Sequence, residues 1–493
     1  MHFATAISNE SRKTRTENGA TAYNTTGSHL LDLFGSIGSL REATPNRIER
    51  LFEEAFYENP LYATKCLFYG RDVRGGLGER NTFRVILKYA AQRFPEAISK
   101  NIPLIGLYGR YDDLYSLVGT QLEAEMWDYV GKQLKIDEAA MEKGKPCSLL
   151  AKWLKTPDAS SKATRTLGIL TAKKLNMSVY VFKRKLRALR KYLKVVETQM
   201  STNHWNEVDY ATVPSRAMMI YRKAFGKHDQ ERFNQFLQKV EKGEAKINAA
   251  ALFPYDLVMK YTQNGWWNLR NLREDPVIEA QWKSLPNYCE GEANALVIAD
   301  TSGSMTSDNG RPMASSVGLA LYFANRNQGA YHGLWMSFSE NPAIQRVRGN
   351  SLAHQLGAMN MDCWGNNTNL EAAFMKVLQI ALDNDVSKEE MVKSLIVISD
   401  MEIDACVSKK WSFYDEMRRR YAAAGYAIPN VIFWNVNSRN DVFHADKSRR
   451  GVQVCSGQSA STFKHLMKAV NMTAEEMMYS VLDSDRYAPI EIG

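Results

Sequence analysis

A chain of 493 residues, 45% apolar and 24% charged, has the make-up of a soluble globular protein and is long enough for two or three cores. No apolar run reaches the length of a membrane span, and Met1 to Ala20 is polar, without a basic-then-apolar leader pattern. The net charge of +9 hides an asymmetry: residues 1–290 hold 44 Lys/Arg against 32 Asp/Glu, residues 291–493 hold 19 against 22, and residues 141–200 alone hold 15 against 3. Charge so concentrated marks a surface for a polyanion. Six scattered cysteines (Cys66, Cys147, Cys289, Cys363, Cys406, Cys455) include no Cys-x-x-Cys pair. They read as reduced thiols of a cytosolic protein, neither a disulfide framework nor a zinc site.

Residues 1–44 read as a loosely ordered arm, polar and rich in Thr, Asn and Gly between Ser11 and Thr26, with an apolar stretch at His29 to Ile37. From Pro45 the pattern is helical. Ile48, Leu51, Phe52, Ala55 and Phe56 recur at three- and four-residue spacing, Pro60 opens a second helix, and Glu79 to Phe94 makes a third. Short helices continue to about residue 240, which predicts stacked helix pairs over 45–286 without a fixed repeat period. Two connecting loops are unusual. Tyr69 to Arg80 mixes Arg71, Arg74 and Arg80 with four glycines, and Leu107 to Leu114 carries Arg110 beside Asp112 and Asp113. Glycines let a backbone approach a phosphate and arginines bind it bidentately, but turns with internal Arg–Asp pairs would use the same residues. No Gly-Lys-Ser/Thr follows, so the first loop is not a P-loop.

The basic segment comes next. Lys152, Lys162, Arg165, Lys173 and Lys174 lead to Lys183, Arg184, Lys185, Arg187, Arg190 and Lys191, with Leu186, Leu189 and Leu193 on one face of a predicted helix. Trp153, Tyr180, Phe182 and Tyr192 are interleaved, as core or as platforms for bases. Only Asp158 and Glu197 bracket the run, so its charge has few acidic partners nearby in sequence. A cationic face behind an apolar stripe suits nucleic acid, with a solvated surface helix as the plain alternative. Trp266-Trp267, Trp282 and Pro286 close the helical part, and a second domain is expected over 287–493.

That domain opens on Ala295 to Ala299, an apolar run suited to a buried strand, followed by Asp300, Thr301, Ser302, Gly303 and Ser304. A carboxylate and two hydroxyls at alternate positions past a strand end are hard oxygen ligands for a small divalent cation. The competing reading is that Asp300 and Ser302 cap the next helix. Asp-x-Ser-x-Ser here resembles the metal-ion-dependent adhesion site (MIDAS) of a von Willebrand factor A domain. The resemblance implies two later ligands, Thr368 in Gly365-Asn366-Asn367-Thr368-Asn369-Leu370 and Asp400 at the end of Leu395 to Ser399. It also implies Mg²⁺, or Mn²⁺ or Ca²⁺, and a partner whose acidic side chain completes the coordination. Expected strands are 295–299, 331–337, 343–348, 394–399, 430–435 and 452–455, alternating with helices 313–325, 369–383, 411–424 and 462–472 as a doubly wound, Rossmann-like α/β sheet requires. Glu402 and Asp404 would orient water or cap a helix.

A second resemblance rests on the helical motifs: Arg-Asp-x-Arg-Gly-Gly-x-Gly-Glu-Arg at 71–80, Gly-Arg-Tyr-Asp-Asp-Leu at 109–114, Val-Glu-x-x-Met-Ser at 196–201, Val-Pro-Ser-Arg at 213–216, Lys-Ile-Asn at 246–248 and Phe-Pro-Tyr-Asp at 253–256. Together they resemble the DUF2828 family, from about residue 20 to the end, which implies an α-helical domain before a von Willebrand A domain. The arrangement is similar to that of the Ro autoantigen (TROVE) proteins, HEAT-like helical rings that bind small noncoding and misfolded RNA. The expected protein is a cytoplasmic, Ro-like RNA-binding scaffold, with a protein–protein adaptor free of nucleic acid as the alternative. No nucleophile–base pair stands out, and His332 and His354 read as structural, so an enzyme is not expected and a metal-dependent nuclease or phosphatase ranks last.

Overall fold

The computed structural model of the chain describes residues 10–289, 293–362, 364–365, 367–405, 413–469 and 471–493. Cys363, Asn366, Cys406 and the expected helix start at Trp411 lie outside the described residues, as do the first nine residues of the arm.

From Pro45 to Lys283 the regular structure is helical. The apolar spacing near the start becomes the helices Pro45–Glu58, Pro60–Arg71 and Asn81–Arg93. Proline occupies the first turn of the first two, and Thr44 and Asn59 cap them by accepting the amides of Arg47 and Tyr62. Ile48, Leu51, Phe52, Ala55 and Phe56 are all buried, so the predicted stripe is the packed one. Residues 196–247 gather a second, smaller core around Met218, Phe225 and Phe233.

The C-terminal part is a six-stranded sheet in the order β5-β4-β3-β6-β7-β8. Its strands are β3 Ala295–Asp300, β4 Leu334–Phe338, β5 Ala343–Arg346, β6 Ser394–Ser399, β7 Asn430–Asn435 and β8 Val452–Ser456. All neighbours are parallel except β4 and β5. β3 and β6 are buried along their whole length, as continuous apolar runs in a doubly wound sheet should be. The chain leaves β3 toward β4 on one side and β6 on the other, which makes the C-terminal ends of β3 and β6 the topological switch point. β4 starts three residues later than expected because Tyr331 to Gly333 turn, with Gly333 at φ 72° and the Leu334 amide on the Tyr331 carbonyl. The expected 462–472 helix stops at Leu466, and a further helix, Ala474–Leu482, opens on a capping box of Thr473 and Glu476.

The described part of the arm is not loose. β1 Lys13–Arg15 pairs with β2 Thr21–Tyr23, and Tyr23 and Phe443 exchange backbone hydrogen bonds of 2.9 and 2.8 Å. The His29–Ser36 helix is buried at Leu30, Leu31, Leu33 and Phe34. Its polar neighbours are satisfied at long range or internally, Thr16 Oγ1 on the Ile403 carbonyl at 2.6 Å and the Thr26 amide and hydroxyl on Asp32 at 2.7 Å. A polar composition reads as disorder when its partners lie nearly four hundred residues away. After this helix the backbones of Gly38 and Gly457 meet so closely that a Cβ on Gly38 would lie 2.7 Å from Gly457 Cα. Gly38→Ala is therefore expected to destabilise the protein by about 1–3 kcal/mol, seen as a lower Tm; an unchanged Tm would show that the backbones can part freely.

The two parts share one continuous core. The Pro254–Tyr261 helix packs on the Ser307–Arg326 helix, where Gly318 admits the Pro254 backbone. The last residues return to the helical part: Arg486 chelates Asp72 with two bonds of 2.7 Å, and the Gly493 amide reaches the Glu96 carbonyl at 3.1 Å.

Candidate functional site

At the switch point Asp300 is the last residue of β3 and Asp400 follows β6, and both carboxylates are buried. Each closes a turn on the amide two residues on, Ser302 N to Asp300 Oδ1 at 2.9 Å and Glu402 N to Asp400 Oδ1 at 3.2 Å. The Ser399 hydroxyl donates to Asp300 Oδ2 at 2.6 Å and accepts the Met401 amide at 3.1 Å. Met401 sits at φ 67°, a left-handed conformation that a residue with a Cβ seldom takes. Its carbonyl is held at 3.0 Å by His444 Nε2, whose ring burial pushes down to a pKa of about 4 and so keeps neutral. Ser302 and Ser304 bring their hydroxyls within 3.1 Å of each other. Ser302 stands where it would cap the next turn yet makes no capping bond, so capping does not account for it.

Burial, and then the neighbouring charge of Asp400, push the Asp300 carboxyl up to about 7. Two buried carboxylates near each other with paired hydroxyls are a donor set that fits a small hard cation. Among the described residues no group of three or more His, Cys, Asp or Glu side chains gathers as a metal cluster, so the fit rests on the mixed carboxylate–hydroxyl set. Thr368 is tied to the loop after β6: its amide donates to Asp404 Oδ2 at 2.9 Å and its carbonyl accepts the Asp404 amide at 3.0 Å.

Six contacts here have no signal in local sequence. Arg439 Nη2 lies 3.0 Å from Asp400 Oδ2, and its Nη1 lies 2.7 Å from Glu17 Oε2 in the arm. Asn18 Nδ2 approaches Thr368 Oγ1 at 3.5 Å and donates to the Glu402 carbonyl at 2.6 Å. Glu402 accepts the Glu17 amide at 2.7 Å and Asn440 Nδ2 at 2.9 Å. Glu402 and Asp404 thus fasten the arm and the Thr368 loop, and among the described residues neither caps a helix.

The expected basic residues divide. Arg71 is 2% exposed and bonded to Asp113, which is fully buried, at 2.8 Å. It is a structural ion pair, and no ligand can reach it. Arg110 chelates Asp112 and lies over Trp153, its Cζ 3.9 Å from the ring centre. Arg190 is also structural, donating to the carbonyls of Ala151 and Leu154 at 2.9 and 2.7 Å. Lys152, Lys174, Lys183 and Lys185 pair with Glu197, Glu123, Asp158 and Glu138. Two of these acids lie in the Glu123–Glu142 helix, outside the basic segment, so counting acids within the segment overstated its free charge.

The rest stay open. On the adjacent helices Lys162–Lys174 and Val179–Tyr192, the residues Lys162, Arg165, Lys173, Arg184, Arg187 and Lys191 are exposed and make no ion pair among the described residues. Phe182, Leu186 and Leu189 face the core, which turns these cations outward. Of the interleaved aromatics Phe182 is core, Trp153 is under Arg110 and the Tyr192 hydroxyl donates to the Lys145 carbonyl, while Tyr180 is 73% exposed on the same helix as Arg184, Arg187 and Lys191. Arg74 and Arg80 are exposed on the glycine loop.

Comparison with known proteins follows this division. A family model described as domain of unknown function DUF2828 matches residues 16–135 and 144–289. A second, domain of unknown function DUF7788, matches residues 294–488. The likeness expected to run from residue 20 to the end is therefore shared between two models. An uncharacterized protein of Acanthamoeba polyphaga mimivirus, L728, is 26% identical over 97% of this chain and 88% of its own length. Among solved structures, the RO (RSR) protein of Deinococcus radiodurans is similar at 15% identity and a TM-score of 0.40, over 89% of this chain and 93% of that one.

Proposed function

The chain belongs to the DUF2828 family, and from that premise we propose that it is a non-catalytic cytosolic scaffold that binds RNA through the helices Lys162–Lys174 and Val179–Tyr192. The observation that carries this reading is the set of six exposed cations without ion pairs among the described residues on two adjacent helices, the second of which also exposes the ring of Tyr180. Like charges so close repel one another, and a phosphate backbone relieves that repulsion while releasing its counterions. Tyr180 adds a platform on which an unpaired base can stack. Small noncoding or misfolded RNA, rich in loops and ends, offers both. Material copurified from the protein's own cells tests the reading: nucleic acid supports it, and an acidic protein in its place supports the adaptor alternative. Among the described residues no helix is long and apolar enough to cross a membrane.

The second half of the proposal is a divalent cation, Mg²⁺ or a similar ion, held by Asp300, Ser302, Ser304, Thr368 and Asp400. When bound it would supply a Lewis-acidic contact for an acidic side chain of a protein partner. The buried carboxylate pair supports this, because two such groups are costly side by side and the Arg439 guanidinium is bonded to Asp400 rather than to Asp300. Removing Asp300 with an Asp300→Ala change is expected to weaken Mn²⁺ binding at least about a hundredfold, read by calorimetry, given what one lost charged ligand costs. Equal affinity in both proteins would move the cation elsewhere.

A further inference from the structure

The rim of the carboxylate pair is already covered by the chain itself. Arg439 places a guanidinium N–H on Asp400 Oδ2 at 3.0 Å, and Asn18 points an amide N–H at Thr368 Oγ1 at 3.5 Å. Both are donors on oxygens whose lone pairs a cation would need. Arg439 is in turn tied to the arm, by Glu17 Oε2 at 2.7 Å. The arm is fastened at the same rim by the Glu17 amide on Glu402, by the Ala405 amide on the Asn18 carbonyl at 3.1 Å, and by the bridge between Gly19 and Asp404.

We propose that arm residues Glu17 and Asn18, tied down through Arg439, are the built-in occupant of the cation site, so that a divalent cation and the arm compete for one set of oxygens. The inference rests on the cation reading given above. The guanidinium lends Asp400 a positive charge as a cation would, and the two cannot both hold the same oxygen at full strength. Once Arg439 leaves Asp400, the Glu17 carboxylate keeps Asn440 Nδ2 at 2.8 Å but loses its tie to the carboxylate pair, and the Thr16–Ala20 segment is held less firmly at the rim. A partner's acidic side chain then reaches the site only after the arm has left. Cation binding and arm release are therefore coupled, and each shifts the other by the same factor.

Manganese titration followed by electron paramagnetic resonance, with hydrogen exchange read at the Glu17 and Ala405 amides, tests this on the full chain. Arg439→Gln, at an exposed position, and Glu17→Gln are both expected to raise Mn²⁺ affinity, the first by about tenfold, a usual size for such coupling. Saturating Mn²⁺ is expected to speed exchange of both amides in the unaltered protein by a similar factor. Binding of Mn²⁺ only after Arg439→Gln would support the competition strongly. If Mn²⁺ binds equally to all three proteins and the amides exchange at one rate throughout, the arm is a fixed structural element and the inference falls while the cation site stands. If none of the three binds Mn²⁺, the cation reading falls too.

Discussion

Replacing Arg184, Arg187 and Lys191 together by glutamate is expected to lower affinity for a structured RNA about a hundredfold or more at ~0.1 M salt. All three are exposed on the Val179–Tyr192 helix and free of ion pairs among the described residues, so the change breaks no fold contact that is described there. Each contact with a phosphate releases close to one counterion, so the plot of log K against log salt should become shallower by about three in slope. Fluorescence anisotropy of a labelled hairpin measures both quantities. Arg190→Glu is the contrasting case. Its guanidinium holds the Ala151 and Leu154 carbonyls, so the substitution is expected to lower Tm before it changes the salt slope. An unaltered RNA affinity in the triple variant would remove this helix from the interface.

The second large effect is on stability. Asp113 is fully buried and receives Arg71 Nε at 2.8 Å, Arg84 Nε at 2.6 Å and the Arg110 amide at 3.0 Å. Asp113→Asn keeps the shape and removes the charge. Arg71, only 2% exposed, would then be left with a buried guanidinium facing the cationic Arg84 and Arg110. An uncompensated buried charge of this kind costs about 3–5 kcal/mol, which denaturant unfolding followed by tryptophan fluorescence would show as a lower midpoint. Arg71→Met combined with Asp113→Leu removes both charges and is expected to recover most of that loss. A single Asp113→Asn variant as stable as the unaltered chain would mean that solvent reaches Arg71.

These two cases show how far the sequence could be read. The strand runs 295–299 and 394–399 were legible because a strand buried on both faces must be apolar throughout. Asp300 and Asp400 were legible as their carboxyl-terminal punctuation, and β3 and β6 lie side by side with Ala299 opposite Ile398. Of the stripe read from helical spacing, Leu186 and Leu189 are buried and Leu193 is partly so, with Phe182 joining them in the core. What spacing could not show was anything that depends on a partner far along the chain. Arg71 in a glycine-rich loop has the look of a phosphate ligand until Asp113 is folded against it. The free charge of the basic segment looked larger than it is because Glu123 and Glu138 approach from another helix. The arm looked loose because its bonds run to Ile403, Glu402 and Phe443. Arg439, in a run of Asn, Ser and Asp, gave no sign that it reaches Asp400. Hydrogen bonds and ion pairs of polar residues are set by tertiary contact, whereas apolar periodicity is set by the local helix or strand.

Ultraviolet crosslinking of the full chain to bound RNA, with the modified peptides located by mass spectrometry, reads directly whether polyanion meets protein at the open cationic face. Crosslinks concentrated between Lys162 and Lys191, with Tyr180 among the modified residues, are the predicted result. Crosslinks confined to residues 293–493, or no RNA retained at all, would contradict it.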